Sequence, residues 1–127
     1  MKRSTGPWVR KAEDDLAGAR EIAGRSPPLK DLVCFHCQQA VEKYLKALLQ
    51  ELGLAVPRTH NLNDLLNLLT PHDATLKPLS RGLKGLTRCA VDYRYPGPRA
   101  STRQMNSALR IAGRVRDELR KRLGLSS

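Results

Sequence analysis

The chain has 127 residues and a formal net charge of +11, with 23 Lys and Arg against 12 Asp and Glu. This length supports one domain, residues 1–127, with a real hydrophobic core, and no apolar run is long enough to span a bilayer. The charge is concentrated in residues 64–127, which carry +8 against +3 for residues 1–63, and indicates nucleic acid, nucleotides or an acidic protein as partner.

The apolar spacing predicts four long helices and one short helix, and the alternation typical of strands is nearly absent. The predicted helices run from Pro7 to about Gly24, from Leu29 to Leu52, from Leu62 to Thr70, from Asp73 or Ala74 to about Tyr93, and from Ser101 to Leu123. Pro78 lies in the first turns of the fourth and should kink it or mark its true start. The fold class is therefore all-α, an antiparallel up-down four-helix bundle with one additional short helix.

Three helices carry cap signals. Thr5 or Gly6 precedes the first helix, and Asn61 precedes the short one. Ser101 and Gln104 form a capping-box pattern at the start of the last helix.

The second helix carries two contrasting rows of side chains at helical spacing. The apolar row is Val33, Cys37, Val41, Tyr44, Leu48 and Leu52, and the polar row is His36, Gln39, Lys43, Lys46 and Gln50. An imidazole, amides and ammonium groups on one face are suited to binding an anion or a nucleic-acid backbone. The alternative is an ordinary solvated face with a histidine satisfied in the core.

Two further groups extend this candidate site. Arg58, Thr59 and His60 precede the short helix, whose free amide groups favour an anion; alternatively Thr59 or Asn61 is a cap and His60 a packing residue. Glu42 has the favourable i,i+4 spacing to Lys46, a pair that requires further partners if it is buried.

The cysteines and the arginines of the last helix each allow a functional interpretation and a simpler structural one. Cys34 and Cys37 form C-x-x-C without two further ligands at metal-site spacing, so we expect small apolar side chains, no metal and no cofactor. The odd total of three cysteines and the lack of a signal-peptide pattern predict a cytoplasmic protein. Arg103, Arg110 and Arg114 share a face of the last helix, which is either a solvated face or a phosphate-tracking stripe.

Three blocks of the sequence resemble the HEPN domain family. They are F-x-x-Q-Q-A-x-E-K-x-x-K-A-L-L over residues 35–49, P-x-x-H-x-L-x-x-L-L over residues 57–66, and Arg94-Tyr95-Pro96. The resemblance implies a helical bundle that forms two-fold dimers. It also implies a nucleotidyltransferase partner in a toxin–antitoxin system, with nucleotide binding or RNA cleavage as the activity.

The ribonuclease members of that family carry R-x(4–6)-H, and no histidine here follows an arginine at that spacing. Tyr93 stands where the family histidine would fall after Arg88, and tyrosine is a poor proton shuttle at neutral pH. Tyr95 lies where some members have a tyrosine modified with AMP by the partner. Arg88, Tyr93, Arg94 and Tyr95 are therefore the candidates if the chain is an enzyme.

The resemblance, together with the excess of positive charge, implies that the chain binds a nucleotide or an RNA phosphate as a homodimeric bundle, in partnership with a nucleotidyltransferase. The predicted ligand-binding residues are His36, Gln39, Glu42, Lys43, Lys46, Arg58, His60, Arg94 and Tyr95. Two other functions stay open: a metal-independent RNase toxin with a non-standard site, and a non-catalytic helical interaction module.

Overall fold

The computed structural model describes residues 1–126, without the side chain of Ala90, so Ser127 of the predicted domain lies outside the described residues. Five α-helices and one 3-10 helix make up the fold, and residues 1–126 contain no strand. In chain order they are α1 (Gly6–Ala23), α2 (Lys30–Glu51), α3 (Leu62–Leu69), the 3-10 helix (Ala74–Leu79), α4 (Ser80–Asp92) and α5 (Thr102–Arg122). The predicted all-α bundle of four long helices and a short one is confirmed.

Two of the predicted caps are confirmed. The side chain of Asn61 accepts hydrogen bonds from the backbone amides of Asn63 and Asp64, and Ser101 and Gln104 form the reciprocal capping box of α5. Thr5, one of the two residues expected to cap α1, is its N-cap residue, but its side chain accepts no capping hydrogen bond. Its hydroxyl instead donates 2.9 Å to Oε1 of Glu51 at the far end of α2.

The predicted helix over residues 73–93 is two helices. A 3-10 helix contains Pro78, and α4 begins two residues later at Ser80. Proline lacks an amide hydrogen and clashes with the preceding turn of an α-helix, so the regular helix starts after it. Pro78 therefore marks the true start, one of the two outcomes expected of it.

Helix α2 is the centre of the bundle and packs against α1, α3, α4 and α5. The predicted apolar row of this helix is buried except for Leu52, and the predicted polar row is half-buried except for Lys46. Lys46 is buried together with Gln38 and Glu42, which belong to neither row. Leu52, assigned to the apolar row, lies beyond the helix end and is 44% exposed. A helix surrounded by four others has no single solvent face.

The core consists mainly of leucine, alanine and valine, and its buried aromatic residue is Tyr44 of the predicted apolar row. Tyr44 is fully buried, whereas Trp8 only packs at the edge of the core and Phe35 is half-buried. Among the described helices, none combines the length and apolarity that crossing a membrane requires.

Candidate functional site

A small cavity of about 150 Å³ lies between α2 and α4, beside the loop that precedes α3. Its lining residues are Phe35, Gln38, Gln39, His60, Thr87, Val91 and Arg94. Residues 35, 38 and 39 share a face of α2, and residues 87, 91 and 94 recur at helical spacing along α4 and just beyond it. Two helix faces and a loop therefore converge on one polar recess.

Arg94 is an exposed lining residue of this cavity. Its guanidinium carbon is 5.7 Å from the ring centroid of Phe35, within the range of a cation–π contact. Arg94 is exposed and forms no ion pair within residues 1–126. The stacked side chain is held in place while its hydrogen-bond donors stay open to solvent.

A chain of amide hydrogen bonds forms the α2 wall. The Gln38 side-chain amide donates 3.0 Å to the backbone carbonyl of His60, and the Gln39 amide donates 2.8 Å to the Gln38 side-chain oxygen. On the α4 wall, the Thr87 hydroxyl is buried and has no hydrogen-bond partner within residues 1–126. The wall groups are oriented by protein contacts, and one hydroxyl still has free hydrogen-bonding capacity.

Glu42 lies behind this wall with a side chain that is 5% exposed. Its Oε2 accepts 3.1 Å from the Lys46 ammonium, and its Oε1 lies 2.9 Å from Nδ1 of His60 and 3.4 Å from the Gln38 amide. The predicted i,i+4 pair is thus buried, with the further partners that burial of charge requires. The Lys46 ammonium also lies 5.9 Å from the centre of the Trp8 ring.

The remaining members of the polar row face α1 or the residues just before it. Lys43 donates to the carboxylate of Asp15, and Nδ1 of His36 lies 3.8 Å from the same carboxylate, too far for a hydrogen bond. Gln50 donates 3.0 Å to the hydroxyl of Ser4. The polar row is therefore divided between the α1 side of α2 and the cavity side, and of its members only Gln39 lines the cavity.

Arg58 and Tyr95 are exposed and lie outside the cavity lining. The two amides at the start of α3 that an anion would use already donate to Asn61, which favours the capping alternative there. His60 is not a packing residue, since its side chain is 76% exposed while Nδ1 faces Glu42.

The four catalytic candidates do not meet at one site. Arg88 and Tyr93 line a second cavity of about 220 Å³ between α4 and α5, whereas Arg94 lines the first cavity on the other side of α4. Burial raises the pKa of Tyr93, which makes a phenolate at neutral pH still less accessible. Tyr95 is 71% exposed.

The thiols lie along the α2–α4 contact. Cys34 and Cys37 are buried, and Cys89 lines the second cavity. Burial raises the pKa of Cys37 to about 12, as expected of a small apolar side chain. Within residues 1–126, no group of three or more His, Cys, Asp or Glu side chains is arranged to hold a metal ion.

Sequence reasoning missed Phe35, Gln38, Thr87 and Val91 as cavity residues and Asp15 as the partner of Lys43. Gln38 had a detectable signal, because it sits beside Gln39 in the most specific sequence block. Thr87 and Val91 had none, because only the packing of α4 on α2 brings them to the site.

The fold is an all-helical bundle whose central helix carries a buried Gln–Glu–Lys cluster. The sequence of this chain matches one protein family. The HEPN domain model matches residues 6–122, and the chain belongs to this family. None of the curated proteins gives a significant match.

Two solved structures share the fold over nearly their whole length. TT1696 from Thermus thermophilus is 26% identical with a TM-score of 0.83, covering 94% of this chain and 98% of its own. ST0689, an archaeal HEPN homologue, is 28% identical with a TM-score of 0.72, covering 96% of this chain and 98% of its own.

Proposed function

We propose that this HEPN-domain protein binds a nucleotide or an RNA phosphate in the cavity between α2 and α4. The observation that supports the proposal most directly is the position of Arg94, stacked on Phe35 with no carboxylate partner within the described residues. A planar guanidinium held in this way matches the oxygens of a phosphate group.

The rest of the cavity supports the same ligand class. The amide of Gln39 and the hydroxyl of Thr87 offer neutral hydrogen bonds beside Arg94, as a sugar or base edge requires. The carboxylate of Glu42 does not oppose an anion strongly, because Lys46 neutralises it behind the wall.

The proposal is tested by calorimetric titration of the purified protein with ATP and GTP. We expect Arg94→Gln to weaken binding at least about tenfold, the usual cost of one charge-assisted contact. Arg99→Gln is the matched control, since it removes the same charge from the same loop at an exposed residue outside this cavity. Lys43→Met should also leave the affinity unchanged, because Lys43 faces Asp15.

Saturable ATP or GTP binding that is weakened by Arg94→Gln, but not by Arg99→Gln or Lys43→Met, supports the proposed pocket. An equal loss in Arg94→Gln and Arg99→Gln contradicts it, because binding would then depend on net charge alone.

Labelled RNA incubated with the same proteins tests the alternative of a metal-independent RNase. Cleavage that is abolished by Arg88→Ala would support a catalytic role for the second cavity.

The proposed biological setting is a two-protein toxin–antitoxin system with a nucleotidyltransferase. This part rests on family membership, and its test is co-purification with the product of the adjacent gene. If a stable complex forms without any nucleotide or RNA binding, the chain is an interaction module.

We also propose a cytoplasmic setting, supported by three free thiols.

A homodimer is the proposed assembly. The start of α2 exposes two large apolar side chains, with Leu29 50% and Leu32 44% exposed. Light scattering of the wild type should give twice the monomer mass, and Leu32→Glu should give the monomer if this surface is the interface.

A further inference from the structure

Three thiols gather where α2 packs against α4. Cys34 and Cys37 lie one turn apart on α2 and are buried, and Cys89 of α4 is half-buried. The Cys34 and Cys89 thiols face each other within hydrogen-bonding range, although they lie 55 positions apart in the chain. This pair joins two helices, unlike the C-x-x-C pair of Cys34 and Cys37 within α2.

The neighbouring contacts agree with this pairing of α2 and α4. Phe35, the residue after Cys34, lines the first cavity together with Thr87 and Val91. Thr87 and Val91 lie two residues before and two residues after Cys89. Cys34 and Cys89 therefore lie at the same level of the α2–α4 contact, directly beside the two walls of that cavity.

Cys89 is the thiol of the pair that a small molecule can reach. It lines the second cavity, of about 220 Å³, between α4 and α5, whereas Cys34 and Cys37 are each 0% exposed. A space of this volume admits several molecules the size of water. A small oxidant such as hydrogen peroxide therefore has access to the Cys89 sulfur from solvent.

The contact between the thiols makes them chemically unequal. The hydrogen bond from Cys89 lowers the pKa of Cys34 and outweighs burial and the carboxylate of Asp31, both of which raise it. The same hydrogen bond, together with burial, raises the pKa of Cys89. Cys34 is therefore the sulfur of the pair that more readily becomes a thiolate, the form that attacks another sulfur.

We propose that Cys34 and Cys89 are a redox pair that peroxide oxidises to a disulfide between α2 and α4. One peroxide molecule transfers an oxygen atom to the Cys89 sulfur, which becomes a sulfenic acid, and leaves as water. The Cys34 sulfur then attacks the Cys89 sulfur, the S–O bond breaks, and the hydroxide leaves as a second water with the proton of Cys34. Two thiols and one peroxide thus give one disulfide and two waters.

The first step requires a raised peroxide concentration, because the Cys89 thiol ionises poorly. A dithiol reductant reverses the reaction by taking up the disulfide and returning two thiols, so the pair stays reduced in an ordinary reducing compartment. The cross-link would fasten α2 to α4 only under oxidation. No step involves Arg94, so the proposal is independent of the proposed nucleotide pocket.

The test is treatment of the folded protein with hydrogen peroxide, followed by denaturation and alkylation with iodoacetamide. The reduced chain should take up three alkyl groups, one for each cysteine, and the oxidised chain one. Trypsin leaves Cys34 and Cys37 in the peptide of residues 31–43 and Cys89 in that of residues 89–94. Mass spectrometry should find these two peptides linked, with the alkyl group on Cys37, and dithiothreitol should restore three alkyl groups.

The matched control is Cys37→Ala, which removes a buried thiol of the same helix outside the pair. It should form the disulfide as the wild type does, whereas Cys34→Ala and Cys89→Ala should form none. Peroxide should also raise the midpoint of urea unfolding in the wild type and in Cys37→Ala alone, because the cross-link closes the loop of residues 34–89 in the unfolded chain. Circular dichroism checks that each variant is folded.

Three results would overturn the proposal. One is a disulfide that includes Cys37 or that joins two chains. Another is oxidation of Cys89 beyond the sulfenic acid without any link to Cys34. The third is a count that stays at three alkyl groups at every peroxide concentration at which the protein remains folded.

Discussion

Nδ1 of His60 lies 2.9 Å from Oε1 of Glu42, so the loop before α3 is tied to the middle of α2. The other oxygen of the same carboxylate holds Lys46 at 3.1 Å. One buried carboxylate therefore joins the exposed rim of the cavity to an ammonium group in the interior. Its removal should affect the stability of the fold more than it affects any ligand.

We expect Glu42→Gln to lower the free energy of unfolding by about 3 kcal/mol, because Lys46 is then buried without a counter-charge. Urea denaturation measures this loss. The control is Glu21→Gln, which breaks an exposed pair of the same i,i+4 spacing with Arg25 and should cost less than about 0.5 kcal/mol. Glu42→Gln/Lys46→Met should recover part of the loss, and equal small effects of the two single changes would contradict this assignment.

The stability contributed by Glu13 should depend on pH. Burial alone raises the pKa of Glu13, but the hydroxyl of Tyr44 and the guanidinium groups of Arg116 and Arg120 together outweigh burial and lower it below its ordinary 4.5. The two guanidinium groups lie 3.3 and 2.8 Å from the carboxylate. The stabilisation is therefore present above pH 4.5 and is lost as the pH falls through the lowered pKa of the folded state.

Accordingly, Glu13→Gln should cost about 1 kcal/mol at neutral pH, and the difference from wild type should vanish in acid. Urea denaturation at a series of pH values measures both quantities. Asp14→Asn is the control on the same turn of α1, since Asp14 is exposed and has no ion pair within the described chain. A difference that persists unchanged in acid would show that the loss is not electrostatic.

Two helical glycines should respond differently to alanine. A Cβ atom on Gly18 meets nothing within 4 Å, so Gly18→Ala should stabilise the protein by about 0.5–1 kcal/mol through helix propensity. A Cβ atom on Gly82 would lie 3.3 Å from Ile111, and the same change should gain less or destabilise. Thermal unfolding compares them, and a larger gain at Gly82 would mean that α4 and α5 are not in close contact.

The Cys37 thiol should be nearly inert in the folded protein. With its pKa raised to about 12, its thiolate fraction near pH 8 is lower than that of a free thiol by a factor on the order of 10³. Alkylation with iodoacetamide followed by peptide mass spectrometry should show Cys37 modified only after denaturation. Modification at equal rates in folded and denatured protein would contradict its burial.

The sequence predicted most of the fold because its signals are local. The cap at Asn61, the capping box of Ser101 and Gln104, and the break at Pro78 depend on neighbouring residues only. Apolar spacing likewise indicated which elements are helical, and the sequence block over residues 35–49 indicated the family.

The sequence by itself therefore determined the helices, the family and the excess of positive charge. Only the tertiary structure decided which polar side chains meet, because helical spacing defines a face without defining the neighbour opposite it. Lys43 lies against Asp15 of α1, whereas Gln39 shares a cavity with Arg94, which lies 55 residues later in the chain. Such contacts depend on how four helices pack around α2, and no local pattern of residues specifies that packing.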